Sequence, residues 1–133
     1  MKNFSIILLI GLLAGSCYKR CNKTISCHEE GELRVIFENS SGEDLTDLKV
    51  GDRFVGNLEK GQSSCYLAYD TFGFDGDLPD EKCEATVRGK NVESYNRFYE
   101  CGTNKFDKTK GDYEMKIKLL TIEGVDYLEL KMK

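Results

Sequence analysis

The chain has 133 residues and a formal net charge of −4, and 40% of its residues are hydrophobic. A chain of this length holds one domain with a real hydrophobic core. An acidic chain without a stripe of clustered lysine and arginine is a poor ligand for nucleic acid, because binding requires neutralisation of the phosphates. We therefore expect a small globular protein that does not bind nucleic acid.

The first element of the chain has the pattern of an export signal. Lys2 gives a basic start, an apolar run extends from Phe4 to Leu13, and the small residues 14–16 precede Cys17. These are the three regions of a secretory signal. The apolar run is too short for a transmembrane helix, which needs about 20 residues. We predict a helical signal peptide over residues 1–16.

The end of this leader is similar to the lipobox of bacterial lipoproteins. It reads Leu13-Ala14-Gly15-Ser16-Cys17, and in such proteins the enzyme cuts before the cysteine, which then carries acyl chains such as palmitate. The similarity implies lipid attachment at Cys17 and anchoring to the outer membrane, on its periplasmic side or at the cell surface. Ordinary cleavage is the alternative, because Ala14 and Ser16 also satisfy the small-x-small rule, and the protein would then be secreted.

Residues 17–32 are polar, have little apolar periodicity and are predicted to form a flexible tether before a domain at 33–133. An exported chain lies where disulfides persist. Bridges are expected among five cysteines, with the pairing left open: within the domain Cys65, Cys83 and Cys101, and in the tether Cys21 with Cys27. The spacings are too wide and irregular for a zinc site, and no metal or cofactor is expected.

The rest of the chain has the pattern of an all-β domain. Predicted strands cover Leu33–Glu38, Leu45–Val50, Phe54–Leu58, Cys65–Tyr69, Cys83–Val87 and Val92–Tyr99. A Gly- and Asp-rich stretch from Phe72 to Asp80, which includes the lone proline, Pro79, is predicted to be a loop. Turn residues recur every eight to twelve residues, which is typical of a sandwich.

The strongest pattern lies at the C-terminus. From Asp112 to Ile122 apolar and charged residues alternate with a period of two, and after Glu123-Gly124 the alternation continues to Met132. A helix would need apolar spacings of three and four, so this region is predicted to be an antiparallel hairpin. In all, we predict an antiparallel β-sandwich of seven or eight strands.

Short motifs across residues 33–133 resemble a family of small uncharacterised lipoproteins common in Bacteroidetes. They are an opening strand followed by Asn-Ser at Arg34–Ser41, a Gly-Asn-Leu turn at Gly56–Leu58 before Ser63-Ser64, and Gly-Asp-Tyr at Gly111–Tyr113. The resemblance implies an immunoglobulin-like or prealbumin-like sandwich, and it brings no catalytic residues with it.

Candidate chemistry is sparse. His28, the lone histidine, lies in the predicted tether beside Cys27, where nothing orients it as a general base. The acidic loop at Asp75, Asp77 and Asp80 could offer oxygens to calcium, although its spacing does not match an EF-hand. Two further interpretations stay open, an exposed aromatic patch that binds a partner and glycosylation at the triplet that begins with Asn39. The aromatic residues are Tyr66, Tyr69, Phe72, Phe74, Tyr95, Phe98 and Tyr99.

These features predict a membrane-anchored lipoprotein that is a non-catalytic binding or structural module of the cell envelope, with an envelope protein or a glycan as its partner. The alternative is a secreted, disulfide-containing inhibitor of a hydrolase such as lysozyme. It rests on residues 28–84, where fifteen acidic residues face five basic ones and would attract a basic enzyme. We do not expect an enzyme.

Overall fold

The computed structural model describes residues 27–95 and 104–133, and these residues form strands, turns and loops without a helix. The expected signal helix and most of the expected tether lie outside the described residues. The strands are β1 (Leu33–Asn39), β2 (Leu45–Val50), β3 (Arg53–Leu58), β4 (Leu67–Ala68), β5 (Phe72–Asp75), β6 (Leu78–Pro79), β7 (Cys83–Val87), β8 (Lys90–Glu93), β9 (Lys105–Lys108), β10 (Gly111–Ile122) and β11 (Val125–Met132). Among the described residues, we find no helix of the length and apolarity that a membrane span requires.

Two four-stranded sheets form the body of the domain. Sheet A has the order β11-β10-β1-β4 and sheet B the order β3-β2-β7-β8, and a smaller sheet C has the order β6-β5-β9. The strand pairs are antiparallel apart from one: β1 and β10 run parallel, with Leu33 opposite Gly111 and Asn39 opposite Ile117. The all-β prediction is confirmed, and the arrangement is sandwich-like.

Alternation along the strands builds a single core. In β1, Leu33, Val35 and Phe37 are fully buried while the residues between them are partly exposed. Met115 and Ile117 of β10 share that inner face and are fully buried as well. The same cluster takes in apolar residues of β2, β7 and β11, so sheets A and B pack face to face. Each fully buried large apolar side chain contributes about 1.5–3 kcal/mol.

The two sheets are joined where their edges meet. Ser94, just after β8, forms a parallel bridge with Leu128 of β11, and the Tyr95 N–H donates to the Leu128 carbonyl over 3.2 Å. This contact links the β8 edge of sheet B to the β11 edge of sheet A. On the other side of sheet A, the Glu29 N–H donates to the Tyr66 carbonyl over 2.9 Å, so residues before β1 lie along the β4 edge.

The Gly- and Asp-rich stretch is a hairpin rather than the expected loop. Strands β5 and β6 pair with Phe74 opposite Pro79, and Gly76 adopts a positive φ of 60° in the turn between them. Phe72 and Phe74 are buried in the core, which is what holds this polar stretch to the domain. Pro79 lies within the two-residue edge strand β6, where its missing N–H leaves the ladder intact.

Other boundaries also differ from the prediction. The strand expected over Cys65–Tyr69 shortens to Leu67–Ala68, and the one expected over Val92–Tyr99 is observed as Lys90–Glu93, with residues 96–99 outside the described part. Strand β9 was not expected from its sequence, because Lys105–Lys108 contains three charged residues. It is ordered as a strand by pairing with β5.

Candidate functional site

Several residues singled out by sequence lie outside the described residues. These are Cys17, Cys21, Phe98, Tyr99 and Cys101. Lipid attachment at Cys17 therefore stays a prediction.

The structure pairs Cys27 with Cys65 in a disulfide whose Cα atoms are 5.5 Å apart. This bridge joins the expected tether to the expected domain, a combination that the sequence left open. The suggested loop between Cys21 and Cys27 is wrong, because Cys27 is bonded to Cys65. A bridge between Cys65 and Cys83 is also wrong, since Cys83 is a free thiol.

Residues 27–32, which we call the N-terminal strap, are attached to the domain by more than this bridge. The Glu29 carboxylate accepts hydrogen bonds from Arg53 at 2.6 and 2.8 Å and from the Ala68 N–H at 2.8 Å. The Ala68 hydrogen bond, followed by Arg53, lowers the pKa of Glu29. Residues 27–32, which the sequence placed in the tether, are therefore attached to the folded domain.

His28 makes a structural contact with Tyr66. Its Nδ1 accepts the Tyr66 N–H over 2.9 Å, and the two rings meet edge to face with centroids 5.3 Å apart. The Arg34 guanidinium lies 5.2 Å from the centre of the same tyrosine ring. These contacts hold the strap against β4 and explain why Tyr66 is partly buried.

The free thiol of Cys83 is not poised for reaction. Its side chain is fully buried at the start of β7, and desolvation, followed by the neighbouring Glu84 charge, raises its pKa to about 12. A thiol kept protonated in an apolar environment is an inert structural cysteine. Its place in the core is that of a small hydrophobic residue.

The acidic residues around β5 and β6 have separate partners. Asp75 Oδ1 accepts the Asn104 N–H at 2.8 Å, Glu81 accepts the Gly73 N–H at 2.7 Å, and Asp80 pairs with Lys105 at 3.0 Å. In the two described ranges no group of three or more histidine, cysteine, aspartate or glutamate side chains is arranged to hold a metal ion. Two of the three carboxylates considered as calcium ligands are thus engaged elsewhere, Asp75 with the Asn104 N–H and Asp80 with Lys105.

Three of the five described aromatic residues that were considered for an exposed patch fill the core instead. Tyr69, Phe72 and Phe74 are buried, with the Tyr69 and Phe72 rings edge to face at 5.2 Å. The Tyr69 hydroxyl donates to the Val50 carbonyl over 3.1 Å, and burial raises the pKa of Tyr69. Tyr95 is 42% exposed and is the described member of the set that is most accessible to a partner.

Asn39, the first residue of the glycosylation triplet, is a structural residue. It is fully buried, and its amide donates to the Glu43 carbonyl at 2.7 Å and the Leu58 carbonyl at 2.9 Å. Its Oδ1 accepts from the Ser41 N–H and hydroxyl at 3.1 and 2.6 Å. The nitrogen that a glycan would modify is therefore enclosed and occupied in the folded domain.

A cleft of about 430 Å³ lies where β11 meets β6 and the end of β8. Leu120 provides partly exposed apolar surface, and Tyr95 lies at the edge of the cleft with its ring 5.2 Å from that of Tyr127. This volume is within the range of small-ligand and side-chain pockets, about 300–1,000 Å³. We regard it as the candidate binding cleft of the domain.

The rim of the cleft is charged, and its charges are paired. Lys105 and Asp80 are 3.0 Å apart, and Lys82 and Glu93 are 3.7 Å apart. Such pairs at the surface are worth about 0–1 kcal/mol each, so a partner can exchange them at low cost. A mainly polar cleft with Leu120 in its wall and an exchangeable charged rim suits a peptide segment or a sugar ring stacked on Tyr95.

Sequence reasoning did not find this cleft. Its walls come from the segments around Pro79, Ser94, Lys105 and Leu128, which are brought together by the folding of three sheets. The one sequence signal was Tyr95, which was included among the candidate aromatics.

No family model, curated protein or solved structure matches this chain.

Proposed function

We propose that this chain is a lipid-anchored protein of the cell envelope, held to the outer membrane through Cys17, and that its sandwich-like domain is a non-catalytic binding module. The Cys27–Cys65 disulfide carries the proposal, because such bonds persist in the oxidising compartments outside the cytoplasm. The leader pattern that ends at Cys17 supports the same location.

A binding role is supported by the structural contacts of the side chains that could otherwise act as a nucleophile or a base. The Cys83 thiol is buried with a raised pKa, and the His28 ring is taken up by the Tyr66 N–H. The cleft beside Tyr95 offers contact area and ion pairs rather than a nucleophile with its base. The immunoglobulin-like or prealbumin-like identity implied by the resemblance belongs to the same proposal.

The anchor is tested by labelling cells that express the full chain with an alkyne fatty acid. We expect a labelled protein in the membrane fraction, with an intact mass that reports cleavage before Cys17. Cys17→Ser should lose both label and membrane association, while Cys21→Ser, a matched cysteine four residues away, should keep both. Label retained in Cys17→Ser, or absent from the parent chain, would refute anchoring at this residue.

The binding role is tested with a photo-crosslinking amino acid at Tyr95, beside the cleft. Phe54 is the matched control, because it is also an exposed aromatic residue, 58% accessible against 42%, but lies on β3 and does not line the cleft. We expect one specific adduct from position 95 and none from position 54 in intact cells. Identical background adducts at both positions would argue against the cleft as the contact surface.

The inhibitor hypothesis has less support from the charge distribution of the folded domain. Acidic residues of the 28–84 segment pair with basic residues that follow it: Glu43 with Arg88 at 3.7 Å, Glu38 with Lys133 at 2.9 Å, and Asp80 with Lys105. These pairs reduce the negative potential on which steering of a basic enzyme depends. Unchanged lysozyme activity at low salt with the purified protein in excess would end this alternative.

A further inference from the structure

Strand β10 extends beyond its neighbour in sheet A and leaves an open edge. Its pairing with β1 ends at Ile117, opposite Asn39, with a last hydrogen bond from the Ser40 N–H to the Ile117 carbonyl at 2.9 Å. Residues 118–122 pair with β11 on the other side. On the β1 side, this stretch has no strand beside it among the described residues.

The direction of the backbone groups follows from the strand alternation. The Gly111 N–H and the Ile117 carbonyl both point to β1, whereas the Glu114 carbonyl accepts from Lys133 on the β11 side. Odd-numbered residues of β10 therefore face β1, so Leu119 and Thr121 direct two N–H and two carbonyl groups to the open edge. No hydrogen bond of these four groups is found within the described ranges.

Other edges of the main sheets are covered or interrupted. The strap lies along β4, and Ser94 with Tyr95 bridges to β11. Edge strand β3 pairs through register shifts around Leu48 and Gly56, where Gly56 has a positive φ of 107°. Such bulges and covers are how proteins prevent pairing between sheet edges. The open edge at Leu119–Thr121 lacks these devices.

The side chains on the outer face at this edge are apolar. Leu120 lies opposite Tyr127, and Ile122 lies opposite Val125, which is 51% exposed. This face is opposite to the one that carries the buried Met115 and Ile117. Lys118 lies at one end of this face and Glu123 in the turn beyond its other end, and neither has an ion-pair partner within the described part of the chain.

We propose that the open edge of β10 pairs with the same edge of a second copy of this chain, antiparallel and centred on Leu120. In this register Leu119 of one copy lies opposite Thr121 of the other, and all four free backbone groups of each copy are satisfied. Leu120 meets its own counterpart as a non-hydrogen-bonded pair, in which the side chains are closest, with Cβ atoms about 4.5–5.5 Å apart.

A second copy fits this edge because the stretch is complementary to itself. Lys118 of one copy lies opposite Ile122 of the other and next to its Glu123, so opposite charges meet at both ends of the contact. A two-fold interface of this kind uses the same patch on both subunits. Five paired residues bury far less than the about 1,200–2,000 Å² of a stable complex, so the dimer is weak and reversible.

The register is tested by disulfide cross-linking of the purified full chain, in a background with Cys17→Ser, Cys21→Ser and Cys101→Ser, so that Cys83, which is buried, is the one remaining native free thiol. Leu120→Cys places a thiol opposite its own counterpart at a non-hydrogen-bonded position, where the Cα atoms are about 4.5 Å apart and so within the Cα range of about 4.4–6.8 Å seen in disulfides. We expect oxidation to give a covalent dimer well above that of the parent background. Lys118→Cys or Ile122→Cys alone should stay at the parent level, whereas a mixture of these two variants should form the mixed dimer.

A backbone substitution provides an independent readout. Thr121→Pro removes an N–H that faces the open edge and is absent from the β11 ladder, a position at which proline is tolerated in edge strands. In the Leu120→Cys background we expect Thr121→Pro to lose the cross-linked dimer and Thr121→Ala, which keeps the N–H, to retain it. Thermal unfolding of each variant establishes that it is folded.

The outcomes separate the proposal from its alternatives. Equal cross-linking at positions 118, 120 and 122, or none at 120, would overturn the register. A mixed disulfide from position 120 to a different envelope protein in intact cells, without a dimer in the purified chain, would overturn the second copy as occupant. The purified chain needs no lipid for this experiment, so its result is independent of anchoring at Cys17.

Discussion

Replacing Asn39 with alanine removes four hydrogen bonds from the interior of the domain. The Asn39 amide donates to the Glu43 and Leu58 carbonyls, and its oxygen accepts from the Ser41 N–H and hydroxyl. Together they shape the turn that carries the chain from sheet A to sheet B. The side chain is fully buried, so water cannot replace its amide.

The magnitude follows from these contacts. A net hydrogen bond contributes about 0.5–1.5 kcal/mol, and a buried carbonyl left unpaired costs about 1–3 kcal/mol. Since the Leu58 carbonyl loses its buried partner, we expect Asn39→Ala to lower the free energy of unfolding by about 3–4 kcal/mol. For a domain of about 100 residues this is a fall of roughly 15–25 °C in Tm.

The assay is urea unfolding followed by far-ultraviolet circular dichroism. The midpoint should fall with little change in slope, because the surface exposed on unfolding stays the same. Asn57→Ala is the matched control: its side-chain oxygen accepts one exposed N–H, from Asp47 at 2.9 Å, and should cost about 0.5–1.5 kcal/mol. A deficit for Asn39→Ala no larger than that of the control would refute the reasoning.

Asn39→Asp tests the direction in which the stability of the domain depends on pH. A carboxylate at this position would face the Glu43 and Leu58 carbonyls, which repel it and raise its pKa in the folded state. The stability deficit relative to the parent should therefore be largest at neutral pH and shrink as the pH falls through that raised pKa, when the protonated acid can donate one hydrogen bond. A deficit independent of pH would contradict this account of the turn.

Three further predictions concern the strap and the core. The Cys27→Ala, Cys65→Ala double variant removes a bridge of sequence separation 38 and should lose about 4 kcal/mol of unfolding free energy, measured in urea against the oxidised parent; an unchanged midpoint would contradict it. In the Cys17→Ser, Cys21→Ser, Cys101→Ser background, Cys83 should resist a thiol reagent until unfolding, because it is buried with a pKa raised to about 12; rapid labelling without denaturant would refute this. The pKa of Glu29 is lowered from its ordinary 4.5 by the Ala68 hydrogen bond and Arg53, so its contribution is present above that value and lost as the pH falls through the lower folded value. Glu29→Gln should flatten the fall in unfolding free energy on acidification, and an acid profile parallel to that of the parent would argue against the strap contact.

Periodicity in the sequence predicted the elements whose two faces differ most. The β10–β11 hairpin was expected from alternating apolar and charged residues with Glu123-Gly124 at the turn, and it is observed with positive φ at both turn residues. Strands β2 and β7 have the predicted bounds. In these segments the local hydrophobic pattern agrees with the burial of the side chains in the fold, so the sequence alone is sufficient to predict the strands.

Elements that depend on tertiary partners could not be predicted in this way. Strand β9 is charged and exposed and is a strand because β5 lies beside it. The parallel pairing of β1 with β10 could not be predicted from either segment. The alternation of apolar and polar residues in each strand is the same whether its neighbour runs parallel or antiparallel. The Cys27–Cys65 bridge likewise depends on the strap lying beside β4, which spacing alone cannot indicate.

The candidate site was the least predictable part. Of the residues around the cleft, Tyr95 had been considered as part of an exposed aromatic patch. Leu120 and Leu128 were predicted only as positions in the C-terminal hairpin. Their surroundings come from β6, β8 and β9, and two of those strands were not expected. A site built at the meeting of three sheets leaves no contiguous motif.

The parallel pairing of the first strand has a consequence for when the domain can assemble. Arg34 and Asp112, which lie opposite each other and form an ion pair, are 78 positions apart, so β1 has to wait for almost the entire chain before its central neighbour arrives. Topologies dominated by such distant contacts fold slowly. A polypeptide that is exported across a membrane, as we propose, therefore cannot complete sheet A until its C-terminal hairpin has also crossed.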